Sequence, residues 1–422
     1  MKFSIMIKKC RICGNINFIK ILSLGDLFVS NFIGFSKERQ LKIPLELVLC
    51  DVGSGGCGLL QLRHTTTSNL LYRNYWYRSG VNKTMISALS DITEKAEQIV
   101  PLKEKDLVLD IGCNDGTLLR SYKTKKLKFV GFDPAKNLLE YSIEGTTNII
   151  SDFFSAITFQ KEFGEEKAKI ITSIAMFYDL EKPNEFVEDI KKCLDKDGVW
   201  IIQMSYLPLM LEQNAFDNIC HEHLEYYSLT SLENLLKRHD MEIIGVELND
   251  VNGGSFRSYI KHKESKLRGL EKDKQKLIKL RDYEEKLGLQ NKKMYEEFAK
   301  RVMEIKRKLS RFIEKENSKG KKIYVYGAST KGNTLLQFFN LNNKLIKAAA
   351  ERNPDKVGRR TVGTLIPIIS EEQARKEKPD YFLILPWHFL KEFKEREKEF
   401  LESGGKFIVP LPKFKIIGKD GK

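Results

Sequence analysis

The stretch Leu107-Val-Leu-Asp-Ile-Gly-Cys-Asn-Asp-Gly-Thr-Leu-Leu-Arg120 decides the fold. An apolar strand ends in Asp110, a turn carries Gly112 and Gly116, and a helix is expected from Thr117. Strand, glycine turn and helix form the opening unit of a doubly wound α/β sheet, where small residues let a ligand approach the backbone. A second strand, Lys128 to Phe132, ends at Asp133, where a carboxylate can accept both hydroxyls of an adenosine ribose. Ser151-Asp152-Phe153-Phe154 falls where a third strand would offer an acid and an aromatic ring to adenine. Residues 170–176 read as the fourth strand.

The turn discriminates between cofactors. A dinucleotide wants G-x-G-x-x-G, with its pyrophosphate on the helix N-terminus. The run from Gly112 is instead G-C-N-D-G-T, and an acid at Asp115 would oppose a pyrophosphate. S-adenosylmethionine has no phosphate, and its amino group would be attracted to Asp115. The expected cofactor residues are Asp110, Gly112, Asn114, Asp115, Asp133, Asp152 and Phe153.

Lys322-Ile-Tyr-Val-Tyr-Gly-Ala-Ser-Thr-Lys-Gly-Asn-Thr-Leu-Leu336 repeats the strand–turn–helix pattern near the C-terminus. Further strands are expected at 345–350, 381–385 and 407–409. The turn is neither a P-loop nor G-x-G-x-x-G, yet its N–H groups and Lys331 can hold a diphosphate or a polar sugar. A degenerate fold serving only as a cleft wall fits the same residues. Between the two units, Tyr295, Phe298, Val302, Ile305, Leu309 and Phe312 draw one apolar stripe down a helix. A helix packed on its own protein is favoured over a coiled-coil partner, because the stripe is short.

At the other end, Cys10-Arg-Ile-Cys13-Gly14 is a knuckle, and Cys50 and Cys57 follow a strand-like run at 45–49. Four thiolates suit a closed tetrahedral zinc site, structural because no position stays open for water. Gly53, Gly55 and Gly56 supply slack for the wide second spacing. A disulfide is the alternative, and a reducing compartment argues against it.

His221-Glu222-His223-Leu-Glu225-Tyr226-Tyr227 is dense in titratable groups. A metalloprotease helix needs H-E-x-x-H, and Glu225 occupies the second histidine's place. The set suits proton abstraction: imidazole as base, carboxylate to orient it, phenol to hold an oxyanion. Ser228 is expected to open a helix just beyond.

The chain has 422 residues, enough for two to three domains, with 41% hydrophobic and 10% aromatic content to fill their cores. No run of eighteen apolar residues occurs and the N-terminal apolar patch is too short for a signal peptide. A cytoplasmic protein without a membrane span is expected. The net charge of +15 invites nucleic acid, but the lysines are dispersed, so a solvated surface is favoured.

The knuckle, the Asp-Ile-Gly-x-Asn-Asp-Gly loop, His-Glu-His-Leu-x-Tyr-Tyr-Ser, Asn252-Gly-Gly-Ser255-Phe-Arg257 and Tyr326-Gly-Ala-Ser-Thr-Lys331-Gly occur in this order. Together they resemble the three-part sugar C-methyltransferases, over about residues 8–412. The resemblance implies α/β architecture: a zinc-binding domain (1–70), a class I methyltransferase Rossmann-like domain (71–260), a charged helical connector (261–320) and a second Rossmann-like domain (321–422). It also implies S-adenosylmethionine and structural zinc as cofactors, and methylation beside the ketone of a nucleotide-linked 4-keto deoxysugar. His223 would be the base with Glu222 beside it. Tyr77, or Tyr75 in the same Tyr75-Trp-Tyr-Arg-Ser-Gly80 segment, would be the catalytic phenol. Tyr75, His221, Ser255, Arg257 and Lys331 would bind substrate. Cys220 departs from the pattern, which often carries tyrosine there, so the sugar and its stereochemistry stay open. A monomer is favoured. The rival readings are an O- or N-methyltransferase, which needs no enolising base, and a zinc-bearing nucleic-acid binder.

Overall fold

The computed structural model describes residues 4–34, 40–146 and 148–419. Its centre is a seven-stranded sheet in which Leu107–Ile111, Lys128–Phe132, Asn148–Ile150, Ala168–Ile174 and Leu194–Ser205 run parallel. An antiparallel hairpin, Met241–Asn249 and Ser255–His262, completes one edge. Every residue of Leu107–Ile111 is buried. Leu107, Leu109 and Ile111 join one apolar cluster and Val108 another, as expected of a strand covered on both faces. Its neighbours, Lys128–Phe132 and Ala168–Ile174, lead the chain in opposite directions across the sheet. That reversal opens a crevice beyond the strands' carboxyl ends, the usual ligand position in such sheets.

The second sheet has six strands. Ile368–Ser370, Ala349–Glu351, Ile323–Tyr326, Tyr381–Ile384 and Lys406–Val409 are parallel, and Lys415–Ile417 is antiparallel. Ile323 and Val325 face one cluster, Tyr324 and Tyr326 the other.

The N-terminal sheet pairs Phe18–Phe28, Lys42–Cys50 and Leu60–Leu62 antiparallel. Its fourth strand, Glu225–Tyr226, comes from far along the chain, with Glu225 opposite Gln61. Between sheets lies the helix Lys292–Ser318. Its stripe of Tyr295, Phe298, Val302, Ile305, Leu309 and Ile313 is buried in the cluster that holds Leu45, Leu47, Phe216 and Val325. The helix is therefore a spine among the domains. The expected Phe312 is only partly buried, packed edge-on against Tyr381 and Phe414, and Ile313 takes its core position. Among the described residues, no helix is long and apolar enough to cross a membrane.

Candidate functional site

The four cysteine sulfurs lie within 4.8 Å of one another. Cys10 and Cys57 are 3.6 Å apart, Cys13 and Cys50 3.5 Å. Tetrahedral zinc with Zn–S near 2.3 Å would set its sulfurs about 3.8 Å apart, so the donor set fits zinc. These separations are far beyond the ~2.05 Å of a disulfide. The local chain explains the convergence. Gly14 and Gly55 take left-handed φ values of 75° and 81°, and a Cβ on Gly56 would stand 2.6 Å from the Cys50 sulfur. Gln61 donates to the Cys10 sulfur at 3.2 Å. Arg11, inside the knuckle, donates to Leu62 O and Thr65 Oγ1 and faces buried Glu225 at 3.6 Å. The metal cluster is thereby tied to the strand that follows His223.

A cavity of about 820 Å³ runs from the carboxyl ends of the central strands to those of the C-terminal sheet. Asp110, Gly112, Asn114, Asp133, Asp152 and Phe153 line its central end. Gly112 has φ 74° and donates its N–H to Phe132 O at 2.8 Å, a close turn that favours glycine. Asp133 accepts from the N–H groups of Asn114 and Ala135, both at 2.8 Å, and burial pushes its carboxyl up to about 6. Asp110 accepts from Thr172 Oγ1 at 2.6 Å, and burial pushes it up to about 7. Phe153 presents its ring beside Arg73, whose guanidinium is 2.8 Å from Asp152. Asp115 departs from expectation. It is buried, outside the cavity wall, and accepts from Gly80 N–H at 2.7 Å and Thr117 Oγ1 at 2.6 Å. Its charge organises the helix start and the 79–80 loop, leaving no carboxylate aimed at a ligand.

The candidate reacting groups line the cavity between these two ends. His223 is buried with its Nδ1 2.9 Å from Asn218 O. A carbonyl can only accept, so Nδ1 carries the proton and Nε2 holds the lone pair. Burial, and then the Lys331 charge, hold the imidazole's pKa well below its ordinary value. Its ring lies 4.3 Å from that of Tyr178. Glu222 lines the cavity with one unpartnered buried oxygen, as does Asp179. Burial raises the Glu222 carboxyl, while burial and then Glu222 raise that of Asp179 well above the usual range. Tyr72 donates to the Glu222 carbonyl at 2.9 Å.

Other expected residues separate. Tyr75 and Tyr77 both line the cavity, but Tyr75 is half-buried and Tyr77 is 44% exposed. Of the two phenols, Tyr75 is the more enclosed and Tyr77 lies at the rim. His221 is turned away from the cavity, its Nε2 bonding Ile43 O at 3.0 Å, because docking of Glu225–Tyr226 carries it against the N-terminal sheet. Arg257 also lies outside the cavity wall, held by Asp91 at 2.8 Å and Glu247 at 3.4 Å. Its Nε donates to Gln203, which does line the cavity. Ser255 reaches the wall, with its hydroxyl on Val251 O. Lys331 lines it too, donating to Asn218 Oδ1 at 2.7 Å. Asp179, Tyr72 and Asn218 carry no sequence motif. Asn218 is identified by its bond to His223, Tyr72 by its bond to the Glu222 carbonyl, and Asp179 by an unpartnered oxygen on a residue that lines the cavity.

Two family models match in tandem: a methyltransferase domain over residues 81–246 and a C-methyltransferase C-terminal domain over residues 250–412. The chain is 29% identical to C-methyltransferase NovU of Streptomyces niveus over 423 residues, 98% of each chain. Among solved structures, the plantazolicin methyltransferase BpumL in complex with SAH aligns with 43% of this chain and 86% of its own, at 17% identity and a TM-score of 0.34. An S-adenosylmethionine-dependent methyltransferase of Clostridium acetobutylicum aligns with 42% of this chain and 91% of its own, at 15% identity and the same score.

Proposed function

We infer the acceptor chemistry from one premise: the chain is an S-adenosylmethionine-dependent C-methyltransferase, a methyltransferase domain joined to a C-methyltransferase C-terminal domain. The acceptor is a carbon next to the ketone of a nucleotide-linked 4-keto deoxysugar. A carbon of this kind is a poor nucleophile until a base removes its proton and the ketone oxygen takes up the charge. S-adenosylmethionine, when bound, supplies an electrophilic methyl group.

The observation that carries the reading is the His223–Asn218 bond. It fixes the tautomer that leaves Nε2 free to take a proton, and burial keeps the ring neutral at neutral pH. Tyr75 is the donor assigned to the developing enolate oxygen, because it lines the same cavity. Glu222, at the same wall, holds the sugar. Asp133 receives the cofactor's ribose, and Phe153 with Asp152 receives its adenine. The nucleotide diphosphate takes the C-terminal end, where Arg352 and Lys356 line the cavity. Holding both partners in one cleft supplies much of the rate enhancement by proximity.

The test is solvent exchange. With TDP- and UDP-linked 4-keto-6-deoxyglucose in deuterated buffer, the wild type should exchange the alpha proton and, with S-adenosylmethionine, add a methyl group seen by mass. His223→Ala should lose both by about 10²–10⁴-fold while keeping cofactor affinity. Methyl transfer without alpha exchange would hand the reaction to an oxygen or nitrogen acceptor.

A further inference from the structure

We propose that Lys331 and Trp387 of the C-terminal domain are positioning residues that set the His223 base by gripping the turn at Asp217 and Asn218. The proposal rests on His223 being the base.

Asn218 is buried and bonded from both ends. Its backbone carbonyl accepts from His223 Nδ1 at 2.9 Å and from the Tyr226 hydroxyl at 3.3 Å. Its side-chain oxygen accepts from Lys331 Nζ at 2.7 Å, while its amide donates to Ala215 O at 3.1 Å. One residue therefore carries a direct path from a C-terminal ammonium to the imidazole. Next to it, Asp217 accepts from the indole N–H of Trp387 at 3.3 Å. Lys331 lies in the first turn of the helix Thr330–Phe338, after strand Ile323–Tyr326, and Trp387 opens the helical turn Trp387–Phe389, after strand Tyr381–Ile384. Both converge on the same short turn, Phe216–Asn218.

A charge-assisted bond to a buried amide is stronger than a neutral one, so the ammonium restrains the Asn218 peptide and with it the direction of the carbonyl. The cation also disfavours a second proton on the ring. The titratable groups that share the cavity with the imidazole come from several elements. Tyr178 and Asp179 belong to the Phe177–Asp179 turn, and Asp217, Cys220 and Glu222 to the histidine's own loop. Tyr72 and Tyr75 come from the N-terminal segment, Lys331 and His388 from the C-terminal domain. The bond to the Asn218 carbonyl favours imidazolium, and Lys331 opposes it. Burial already depresses the imidazole, and Lys331 acts in the same direction.

The experiment uses full-length protein and reads the ring directly. Histidine ¹⁵N spectra, assigned with His223→Ala, should show His223 neutral and protonated at Nδ1 in the wild type at pH 7. Lys331→Met should raise its pKa and blur the fixed tautomer. Lys331→Arg should restore both. With the keto-sugar probes, Lys331→Met should lower kcat on the order of 10²-fold, with sugar KM unchanged and the acid limb of kcat moved to higher pH. Trp387→Phe should lower kcat less. Unchanged SAH affinity and melting temperature show that the variants are folded. A Lys331→Met protein with raised KM but unaltered imidazole titration overturns the proposal and makes Lys331 a substrate ligand. One that no longer binds SAH overturns it in favour of a structural role. An unaltered ring in Lys331→Met beside an inactive His223→Ala defeats this proposal alone. Full alpha exchange in His223→Ala defeats the base assignment with it.

Discussion

Two strand–turn–helix units stand at the carboxyl ends of two parallel sheets, and they are used differently. In the central sheet, Gly112 to Gly116 bends back on its own strands, and the acid ending the next strand, Asp133, accepts from the turn's Asn114 N–H while still lining the cavity. In the C-terminal sheet, the corresponding acid Glu351 accepts from Ala328, Arg352 and Asn353 N–H groups and pairs with Lys356 at 3.6 Å. That turn's Lys331 reaches across to Asn218 instead. The same local pattern lines the cavity with an acid in one place and, in the other, sends an ammonium across to the Phe216–Asn218 turn. These are the proposed cofactor cradle and the proposed brace. The difference lies in what each turn packs against.

The two ends of the cleft should therefore fail independently. The reacting loop is held by the N-terminal sheet through Glu225–Tyr226, and the Arg11–Glu225 pair ties that strand to the cysteine cluster. Metal analysis should find about one zinc per chain, lost in Cys13→Ser. Turnover should then fall on the order of 10²-fold, since a misplacement of about 1 Å costs that much. SAH binding should survive, and calorimetry checks it. Equal loss of both would mean that the cofactor end also depends on the zinc domain.

A smaller effect is expected at the acids. Asp133→Asn should weaken SAH binding about ten- to a hundred-fold, the worth of hydrogen bonds to a charged acceptor. Glu351→Gln, at the matching place in the second sheet, should leave SAH affinity unchanged. If Glu351→Gln weakened SAH instead, the two cradles would have been assigned the wrong way round.

The pH dependence sharpens the same point. On the proposed reading the ionised Asp133 carboxylate accepts the ribose hydroxyls, and burial pushes its pKa up to about 6. SAH affinity should hold above pH 7 and fall about ten-fold by pH 5 as the acid protonates. Asp110, pushed up to about 7, titrates nearby. Asp133→Asn separates them: a flat profile in the variant assigns the effect to Asp133, and a persistent fall moves it to Asp110. Smallest of all, Arg257→Met should leave the sugar KM unchanged, because the guanidinium is spent on Asp91, Glu247 and Gln203.

The sequence by itself determined the pieces whose geometry is local. Apolar runs ending in small-residue turns dictate strand–turn–helix units, because backbone sterics over a few residues decide them. Thiols at knuckle spacing dictate one converging pair, and Ser228 caps its helix as its side chain requires, accepting from Ser231 N–H. What only the tertiary structure decided was where side chains point. Asp115 and Arg257 turn inward to partners distant in the chain, and the pairing of Glu225 with Gln61 rotates His221 onto Ile43 while His223 faces the cavity. Asp179 and Lys331 line the same cavity from separate sheets, and only Lys331 is marked by a neighbouring motif. A carboxylate or ammonium has the same local preferences whether it will meet a ligand or a buried partner. Its fate is settled by the long-range contact that satisfies it first, since leaving a buried charge unpaired costs more than any local propensity supplies.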